Sequence, residues 1–442
     1  MRSRLSVGFV SPLPPVRSGV ADYAAELLRV LGEHVDAVSY APAESRRALR
    51  AGHDVLFFQI GNDPLHLGSY EALTDGSRTT PAVLTLHDYS LHHLFAAALL
   101  DAGREEEYGR ELVRNHGDSG RHLWERMKGG GRIPVWDLAP WSYPMSTEAV
   151  RRAEIVIAHS RLVAGSVLRA WPGTDVVEIP HHVVAAPRRE RGEARRFLGL
   201  PADRPVAVTL GVVTPAKRVG KILEGLAILP RERRPFLFVG GAVGPDDPLL
   251  ASVRDLGLSS DVRFGGYLSE EEFWGAAAAA DLAVNLRHPT VGETSGAVCR
   301  LAGFGLPLIV SDAGWFRELP DTFAAKVPVG MGESETLAVE LSRVAFDPDE
   351  RARRGTAAAR WGHARSPERV ASACALVLRE AAEGKGRPRA LSGRLGAELS
   401  VLGVGRPGRY GSGSREPDAA LLAEVSSRLA GLLPDRPVPL FD

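Results

Sequence analysis

The sequence of 442 residues predicts an α/β protein with two doubly wound parallel-sheet domains that face one another. Short apolar runs alternate with longer amphipathic segments along most of the chain, as is typical of strands that helices bury on both faces. This pattern stops and restarts near residues 187–205, which indicates two successive domains of similar design. A chain of this length is also too long for one ordinary core.

The first predicted domain covers residues 1–185. Its strand candidates are short, apolar and rich in β-branched or aromatic residues, which favours buried strands. An insertion at about 101–150 is rich in charge and then in Gly, Pro and Trp, and predicts a helical excursion. Two interpretations stay open for it, a lid or acceptor-side wall and a simple insertion on the rim. The predicted strands are LSVGFVS (5–11), DVLFFQI (54–60), AVLTLHD (82–88), EIVIAHS (154–160) and VVEIP (176–180).

The second predicted domain covers residues 186–365, and a closing helix follows at 366–384. The remaining segment, 385–442, has the Gly, Arg, Pro and Ser bias of a linker and then a short terminal helix, AALLAEVSSRLAGLL. The predicted strands of this domain are PVAVTLG (205–211), PFLFVGG (235–241), DVRFGG (261–266), DLAVNL (281–286) and LPLIVSD (306–312).

Composition restricts the partners and the compartment. Lys and Arg together number 54, as do Asp and Glu, so the net charge gives no support for a nucleic acid partner. Cys299 and Cys374 are the only cysteines, which argues against a disulfide framework and favours a reducing, cytoplasmic location. No apolar run reaches the roughly 18 residues that a membrane-spanning helix needs, so no transmembrane segment is predicted.

In doubly wound sheets, ligands bind beyond the carboxyl ends of the strands. After the first strand, Gly19 opens a helix, so its N–H can approach an anion, although a glycine before a helix more often reflects ordinary turn chemistry. His87 follows a later strand and is either a cleft histidine or a structural one. With His92 and His93 it forms HDxxxHH, which lacks a recognised metal-ligand spacing, so no metal site is predicted.

The first strand of the second domain leads into a basic turn. Gly211 stands at the tight turn, and Lys217 and Arg218 stand at the start of the next helix. With that helix's N-terminal N–H groups, they either form a cationic pocket for a diphosphate or simply face solvent. The segment is not a Walker loop, and the absence of GxGxxG after either first strand disfavours a dinucleotide-dependent oxidoreductase.

A lone carboxylate, Glu293, lies in the loop RHPTVGETSG just before a predicted helix. The first N–H groups there belong to Thr294, Ser295 and Gly296 and would hold a phosphate, while the carboxylate accepts hydrogen bonds from sugar hydroxyls. The alternative is that Glu293 caps the helix, which the helix dipole would also favour.

The ordered set RSGVADY, LTLHDYSLHH, EIPHHV, PAKRV and GFGLPLIVSDAGWFRELP resembles retaining glycosyltransferases of family 4, which have the GT-B fold of two facing Rossmann-like domains. The resemblance covers about residues 5–380. It implies a nucleotide-diphosphate sugar as donor and no cofactor, with Lys217 on the phosphate, Gly19 facing the diphosphate and acceptor, and His87 near the donor sugar. By the same resemblance, the backbone of 264–267, including Tyr267, lies beside the base.

Two departures from the family matter. Val212 stands where the family often has an arginine, and of the family's paired glutamates the second position is Arg300. The first is Gly292, with Glu293 one place along. The resemblance therefore implies that Glu293 keeps the sugar-facing role on a shifted loop, while the ribose contact is left unassigned.

The sequence thus predicts a retaining glycosyltransferase of hexosyl type, with His87, Glu293 and Lys217 as the residues of the reaction. By resemblance, the leaving diphosphate helps to deprotonate the acceptor, and the rim carries no Asp-x-Asp, which predicts metal independence. The alternatives are a non-catalytic nucleotide-sugar-binding or scaffolding protein, a transferase of the same fold acting on a small-molecule or thiol acceptor, and an epimerase. The acceptor is unknown, and a homo-oligomer is left open.

Overall fold

The computed structural model describes residues 4–130, 133–187 and 189–384 and contains two six-stranded sheets with all strands parallel. The architecture confirms the predicted class, and every predicted strand is present. The predicted linker and terminal helix of 385–442 lie outside the described residues. The strands are β1 (Ser6–Val10), β2 (Asp36–Tyr40), β3 (Val55–Ile60), β4 (Ala82–Leu86), β5 (Ile155–Ala158) and β6 (Val176–Glu178) in the first sheet, and β7 (Val206–Leu210), β8 (Phe236–Gly240), β9 (Val262–Phe264), β10 (Leu282–Asn285), β11 (Leu308–Ser311) and β12 (Ala324–Val327) in the second.

Helices cover both faces of each sheet, and most of the longer ones begin at a side chain that caps the first free N–H groups. Ser18, Ser160, Ser269 and Ser295 all serve in this way. The helices are α1 (Gly19–Leu31), α2 (Ser45–Arg50), α3 (Leu67–Leu73), α4 (His92–Phe95), α5 (Glu105–Gly130), α6 (Val135–Leu138), α7 (Thr147–Arg152), α8 (Arg161–Ala170), α9 (Arg191–Leu198), α10 (Val219–Ile228), α11 (Pro248–Asp255), α12 (Glu270–Ala279), α13 (Gly296–Phe304), α14 (Glu333–Phe346), α15 (Pro348–His363) and α16 (Pro367–Ala382).

Strand order determines where ligands can enter. The first sheet runs β2-β1-β3-β4-β5-β6 and the second runs β9-β8-β7-β10-β11-β12. The order reverses between β1 and β3 in the first sheet and between β7 and β10 in the second, where Leu282 pairs with Ala207. Loops leave in opposite directions at such a point and open a crevice beyond the carboxyl ends of the strands.

The prediction missed two edge strands, β2 and β12. Asp36, Val38 and Ser39 of β2 are exposed, so the strand lacks the continuous apolar run that marked the others. β12 is only four residues long and includes Lys326. Position at an edge does not by itself explain the omissions, since β6 and β9 are also edge strands and were predicted. What β2 and β12 lack is a continuous apolar run.

The chain crosses between the two sheets twice, side by side. Val183 N donates to Arg365 O at 2.7 Å, which joins the segment after β6 to the segment before α16. α16 then returns to the first sheet, where Val370, Cys374 and Leu378 are buried against the core that includes α1. Two adjacent crossings form a natural hinge between the halves.

The described part of the predicted insertion at 101–150 contains α5, α6 and the start of α7, and packs with the first half. α5 is kinked at Gly117, where φ is 60°. Its residues Tyr108, Leu112 and Trp124 are buried in the same core as Leu84 and Leu86 of β4, on one face of the first sheet.

Candidate functional site

Loops from the two halves touch across a cleft at the carboxyl ends of the sheets. Ser90 N donates to Val291 O at 2.9 Å, which joins the segment after β4 to the loop after β10. Gly292 has a φ of 85°, and a Cβ there would lie 2.5 Å from the Cβ of Tyr89. This approach requires a glycine for its backbone conformation and for its lack of a side chain.

The helical insertion also reaches the loop after β10. The Trp141 indole N–H donates to Thr290 O at 2.7 Å, and its ring stacks on Tyr89 with centroids 4.7 Å apart. These contacts favour a wall of the cleft over a simple insertion on the rim.

Lys217 lies folded back over the turn that follows β7. Its Nζ donates to Leu210 O at 3.1 Å, and a Cβ on Gly211, whose φ is 102°, would lie 2.6 Å from that nitrogen. Burial, and then the nearby Arg287 charge, lower the pKa of Lys217 to about 7. The structure thus presents a largely desolvated amine at the point where the strand order reverses.

Arg218 is engaged elsewhere. Its guanidinium forms a two-point ion pair with Glu333 at the start of α14, with Nε 2.6 Å from Oε1, and the Glu333 side chain is 1% exposed. The predicted contact of Arg218 with a diphosphate stays a prediction, and the observed pairing gives the residue a structural task.

Arg287 supplies a cation that the sequence argument missed. It lies two residues after the end of β10, and its backbone N–H donates to Ser311 Oγ at 2.8 Å. The next residue, His288, donates its N–H to Ala216 O at 2.8 Å, which brings Arg287 to the turn that carries Lys217. A basic residue at the carboxyl end of a strand was the available signal.

Glu293 is held by its own loop. Oε2 accepts hydrogen bonds from Thr290 Oγ1 at 2.7 Å and from Val291 N at 2.8 Å, and Oε1 lies 3.0 Å from Nε of Arg287. The carboxylate does not cap α13, because Ser295 accepts the hydrogen bond from Val298 N. Its predicted role on the donor sugar stays a prediction.

The N-terminus of α13 presents unpaired amides. The N–H groups of Thr294, Ser295 and Gly296 find no protein acceptor among the described residues. His181 of the hinge lies close by, with its Nε2 3.5 Å from where a Cβ on Gly296 would stand. Free amides at a helix N-terminus form a ready site for an anion.

His87 is a buried, neutral member of an aromatic cluster. Its Nε2 lies 2.9 Å from Gln59 Oε1, and its ring centroid lies 4.8 Å from Tyr23 and 5.1 Å from His159. Burial lowers the pKa of His87 well below its usual range, and neighbouring histidines, His159 first, act in the same direction. Its predicted place near the donor sugar is not decided by these contacts.

The α1 end of the cleft carries the other predicted residues. No atom lies within 4 Å of where a Cβ on Gly19 would stand, so the start of α1 is open. Tyr267 is 60% exposed, and the Arg17 guanidinium lies 4.7 Å from its ring centroid, which joins the two halves at the rim.

Arg300 pairs with Glu270 on α12, and its guanidinium lies 4.7 Å from the ring centroids of Phe273 and of Trp274. It also acts electrostatically on Asp22 in the first turn of α1. The position that holds a glutamate in the resembling family is therefore part of a cross-cleft charge cluster here.

No metal site is visible in the part of the chain that the structure describes, since no three His, Cys, Asp or Glu side chains are grouped suitably. His92 contacts Tyr143 O at 2.7 Å and Tyr108 Oη at 2.6 Å, whereas His93 is exposed. No described helix has both the length and the apolar character needed to cross a membrane.

Comparison with known families finds a likeness for the second half. A family model described as "Glycosyl transferases group 1" matches residues 190–361. We call this matched segment the group 1 domain, after the family it resembles. The group 1 domain contains the Lys217 turn, Arg287, Glu293 and the start of α13, whereas Gly19 and His87 lie outside the match.

Two curated relatives are 28–29% identical to this chain over about half of its length. A D-inositol 3-phosphate glycosyltransferase of Streptomyces scabiei is 29% identical over 238 residues, which cover 50% of this chain and 52% of that protein. One from Thermobispora bispora is 28% identical over 257 residues, covering 52% and 58%. The chain spans about half the length of the curated relatives it matches.

Solved structures extend the likeness to both halves. Sucrose-phosphate synthase of Thermosynechococcus elongatus has a TM-score of 0.60 at 16% identity, covering 85% of this chain and 99% of that one. HepE of Anabaena, solved with UDP and glucose, has a TM-score of 0.59 at 14% identity, covering 85% and 100%. WaaG, a lipopolysaccharide glycosyltransferase, has a TM-score of 0.54 at 14% identity, covering 84% and 99%. With these neighbours, the chain that carries the group 1 domain has the GT-B fold.

Proposed function

We propose that this protein transfers a hexosyl group from a nucleotide-diphosphate sugar to a hydroxylated acceptor, with retention of configuration and without a metal ion. One observation carries the proposal. Lys217, Arg287 and the free amides of 294–296 converge where the strand order of the second sheet reverses. Positive charge and free N–H groups at one point suit the leaving diphosphate.

The catalytic contribution of the chain is positioning and charge stabilisation. Lys217 and the start of α13 would stabilise the departing phosphate oxygens, which removes the need for a divalent ion there. Glu293, held rigidly by Thr290 and Val291, would orient a sugar hydroxyl, and neutral His87 would donate or accept a hydrogen bond without adding charge. Retention rests on the resemblance to family 4, and a cytoplasmic location rests on the two free cysteines.

A non-catalytic nucleotide-sugar-binding protein is the second candidate. Glu293 oxygens are already occupied within their loop, and Arg300 replaces the second glutamate of the resembling family. Both observations favour a cleft that binds a donor without using it.

The experiment begins with calorimetric titration of UDP, GDP, ADP, TDP and CDP, with and without EDTA. HepE was solved with UDP, so UDP is the first nucleotide to test. We expect one base to bind in EDTA, after which its hexose conjugates are incubated with sugar and polyol acceptors and the product anomer is read by NMR. Binding without transfer or hydrolysis would support the second candidate, and no nucleotide binding would refute both.

A further inference from the structure

Asp88 is a cleft carboxylate that the proposed mechanism does not use. It directly follows His87 at the carboxyl end of β4, and its Oδ2 accepts a hydrogen bond from Asn62 N at 2.7 Å. Among the described residues, none donates a hydrogen bond to its Oδ1, and that oxygen is not among the buried polar atoms left without a partner. One oxygen is therefore committed to the loop after β3, while the other is open to the cleft.

The position of Asp88 places it beside the loop after β10. The two residues that follow it touch that loop, since Ser90 N bonds to Val291 O and Tyr89 lies against Gly292. The next residue of the loop is Glu293, so Asp88 and Glu293 lie on either side of the contact between the loop after β4 and the loop after β10.

The charge around Asp88 is negative. The groups that act on it are Glu293, Arg287 and Asp63, and the Arg287 guanidinium already lies 3.0 Å from Glu293. Burial and then Glu293 raise the pKa of Asp88 to about 7, against the opposing effects of Asn62 N–H and Arg287. A phosphate placed beside Asp88 would be repelled by these carboxylates, while Arg287, the cation that acts on Asp88, is already paired with Glu293. A hydroxyl would instead find an acceptor oxygen.

Resting on the proposed function, we propose that Asp88 binds the acceptor: its Oδ1 accepts a hydrogen bond from a hydroxyl of an uncharged sugar or polyol, and its charge selects against phosphate esters. The acceptor would then differ from the one for which the relatives are named, D-inositol 3-phosphate. Asp88 would act as a specificity-determining residue on the side of the cleft opposite the group 1 domain.

The test uses the full chain loaded with its nucleotide diphosphate, UDP first, and two matched pairs of probes. These are myo-inositol with D-inositol 3-phosphate and glucose with glucose 6-phosphate, titrated by calorimetry or ligand-observed NMR. We expect the uncharged member of at least one pair to bind at least tenfold more tightly than its phosphate ester. Asp88→Asn keeps an oxygen for Asn62 N–H. In this variant, the ratio of the two affinities, uncharged probe over phosphate ester, should fall at least tenfold while nucleotide affinity stays unchanged.

Two readouts separate this role from a structural one. The affinity of wild-type protein for the uncharged probe should improve as pH rises through about 7, where Asp88 ionises, and this dependence should vanish in Asp88→Asn. Asp54→Asn is the matched control, because Asp54 also accepts a backbone hydrogen bond, from Ser6 N at 2.8 Å, but stands just before β3 at the opposite edge of the sheet from the cleft. It should change the preference less than threefold.

Three results would overturn the inference: preference for the phosphate ester in both pairs, no binding of either uncharged probe, or a preference and pH dependence unchanged in Asp88→Asn. Each of these leaves the proposed function standing if the nucleotide binds. Failure of every nucleotide to bind would instead refute the proposed function and this inference together.

Discussion

Lys217 shows how one buried amine can serve a donor site. Water is largely excluded from it, and among the described residues its amine donates a hydrogen bond only to Leu210 O, so the pKa of Lys217 is lowered to about 7. A diphosphate would replace the missing solvation and favour the charged form. The cost of burying the amine is thus offset when the donor arrives.

Replacing Lys217 by Met is expected to weaken nucleotide-diphosphate binding by about 10- to 100-fold, since a hydrogen bond to a charged group contributes about 1.5–3 kcal/mol. In wild type, Lys217 is deprotonated above about pH 7 and binding requires it protonated, so affinity should fall by up to about tenfold per pH unit above 7. Calorimetry across pH 6–9 measures both effects.

Lys221→Met is the control for this prediction. Its amine pairs with Glu224 at 2.6 Å on α10 and is partly exposed, so neither affinity nor its pH dependence should change. Equal loss in both variants, or a wild-type affinity that rises above pH 7, would contradict the assignment of Lys217.

At the scale of elements, one ion pair joins the turn before α10 to α14. Arg218 adopts a left-handed φ of 53°, which costs an ordinary residue free energy, and its guanidinium meets the buried Glu333. The pair holds the Lys217 turn in place from a helix distant in sequence.

Arg218→Met should destabilise the protein by about 3–5 kcal/mol, because it leaves the Glu333 carboxylate buried without its counter-charge. Adding Glu333→Leu should recover most of that loss, since the buried charge is then gone. Denaturant unfolding measures the free energy of unfolding. A single variant as stable as wild type, or a double variant less stable than the single one, would count against this account.

The helical insertion acts on the cleft through one indole. Trp141→Phe keeps the stacking on Tyr89 but removes the hydrogen bond to Thr290 O, so the loop after β10 should be held less firmly. Because a neutral hydrogen bond contributes about 1 kcal/mol, we expect nucleotide affinity to fall about three- to tenfold. Calorimetry with the nucleotide measures this change.

Trp136→Phe provides the comparison within the same insertion. The Trp136 ring packs near His92, with centroids 5.7 Å apart, and no hydrogen bond among the described residues joins it to the loop after β10. Its nucleotide affinity should match wild type. If the nucleotide affinity of Trp141→Phe also matched wild type, the insertion would not support the cleft and would be a simple insertion on the rim.

At the scale of the whole molecule, the halves close on each other through backbone as well as side chains. Glu318 of the second half accepts hydrogen bonds from Arg161 N and Leu162 N at the start of α8, at 3.1 and 2.7 Å. Nε2 of His182, in the hinge, lies 2.8 Å from Oε2 of Glu26 on α1. Gly292 lies directly against Tyr89, so this contact between the halves depends on the absence of one side chain.

Gly292→Ala should hold the cleft open, because its Cβ would lie 2.5 Å from the Cβ of Tyr89. We expect a larger radius of gyration in small-angle scattering and a loss of transfer activity of at least tenfold. Gly103→Ala is the control, with a similar φ of 72° and no atom near its Cβ. Both variants carry the same backbone strain, so a change in Gly103→Ala of equal size would refute the role of closure.

The sequence by itself determined the architecture and part of the site. Continuous apolar runs predicted most strands, because burial on both faces requires consecutive apolar residues. β2 was missed because most of it is exposed, and β12 was missed because it is a run of four residues that includes Lys326. Lys217 and Gly211 could be identified from the sequence because a turn and its glycine are also local features.

Only the tertiary structure decided which charges meet. Arg218 pairs with Glu333, 115 residues away, and Arg287 joins Lys217 through the packing of two loops. Asp88 belongs to the first half and Glu293 to the second, and the two carboxylates come near each other only because loops of the two halves meet. The partner of a charge depends on desolvation and on contacts between distant segments, and no local pattern of residues encodes either.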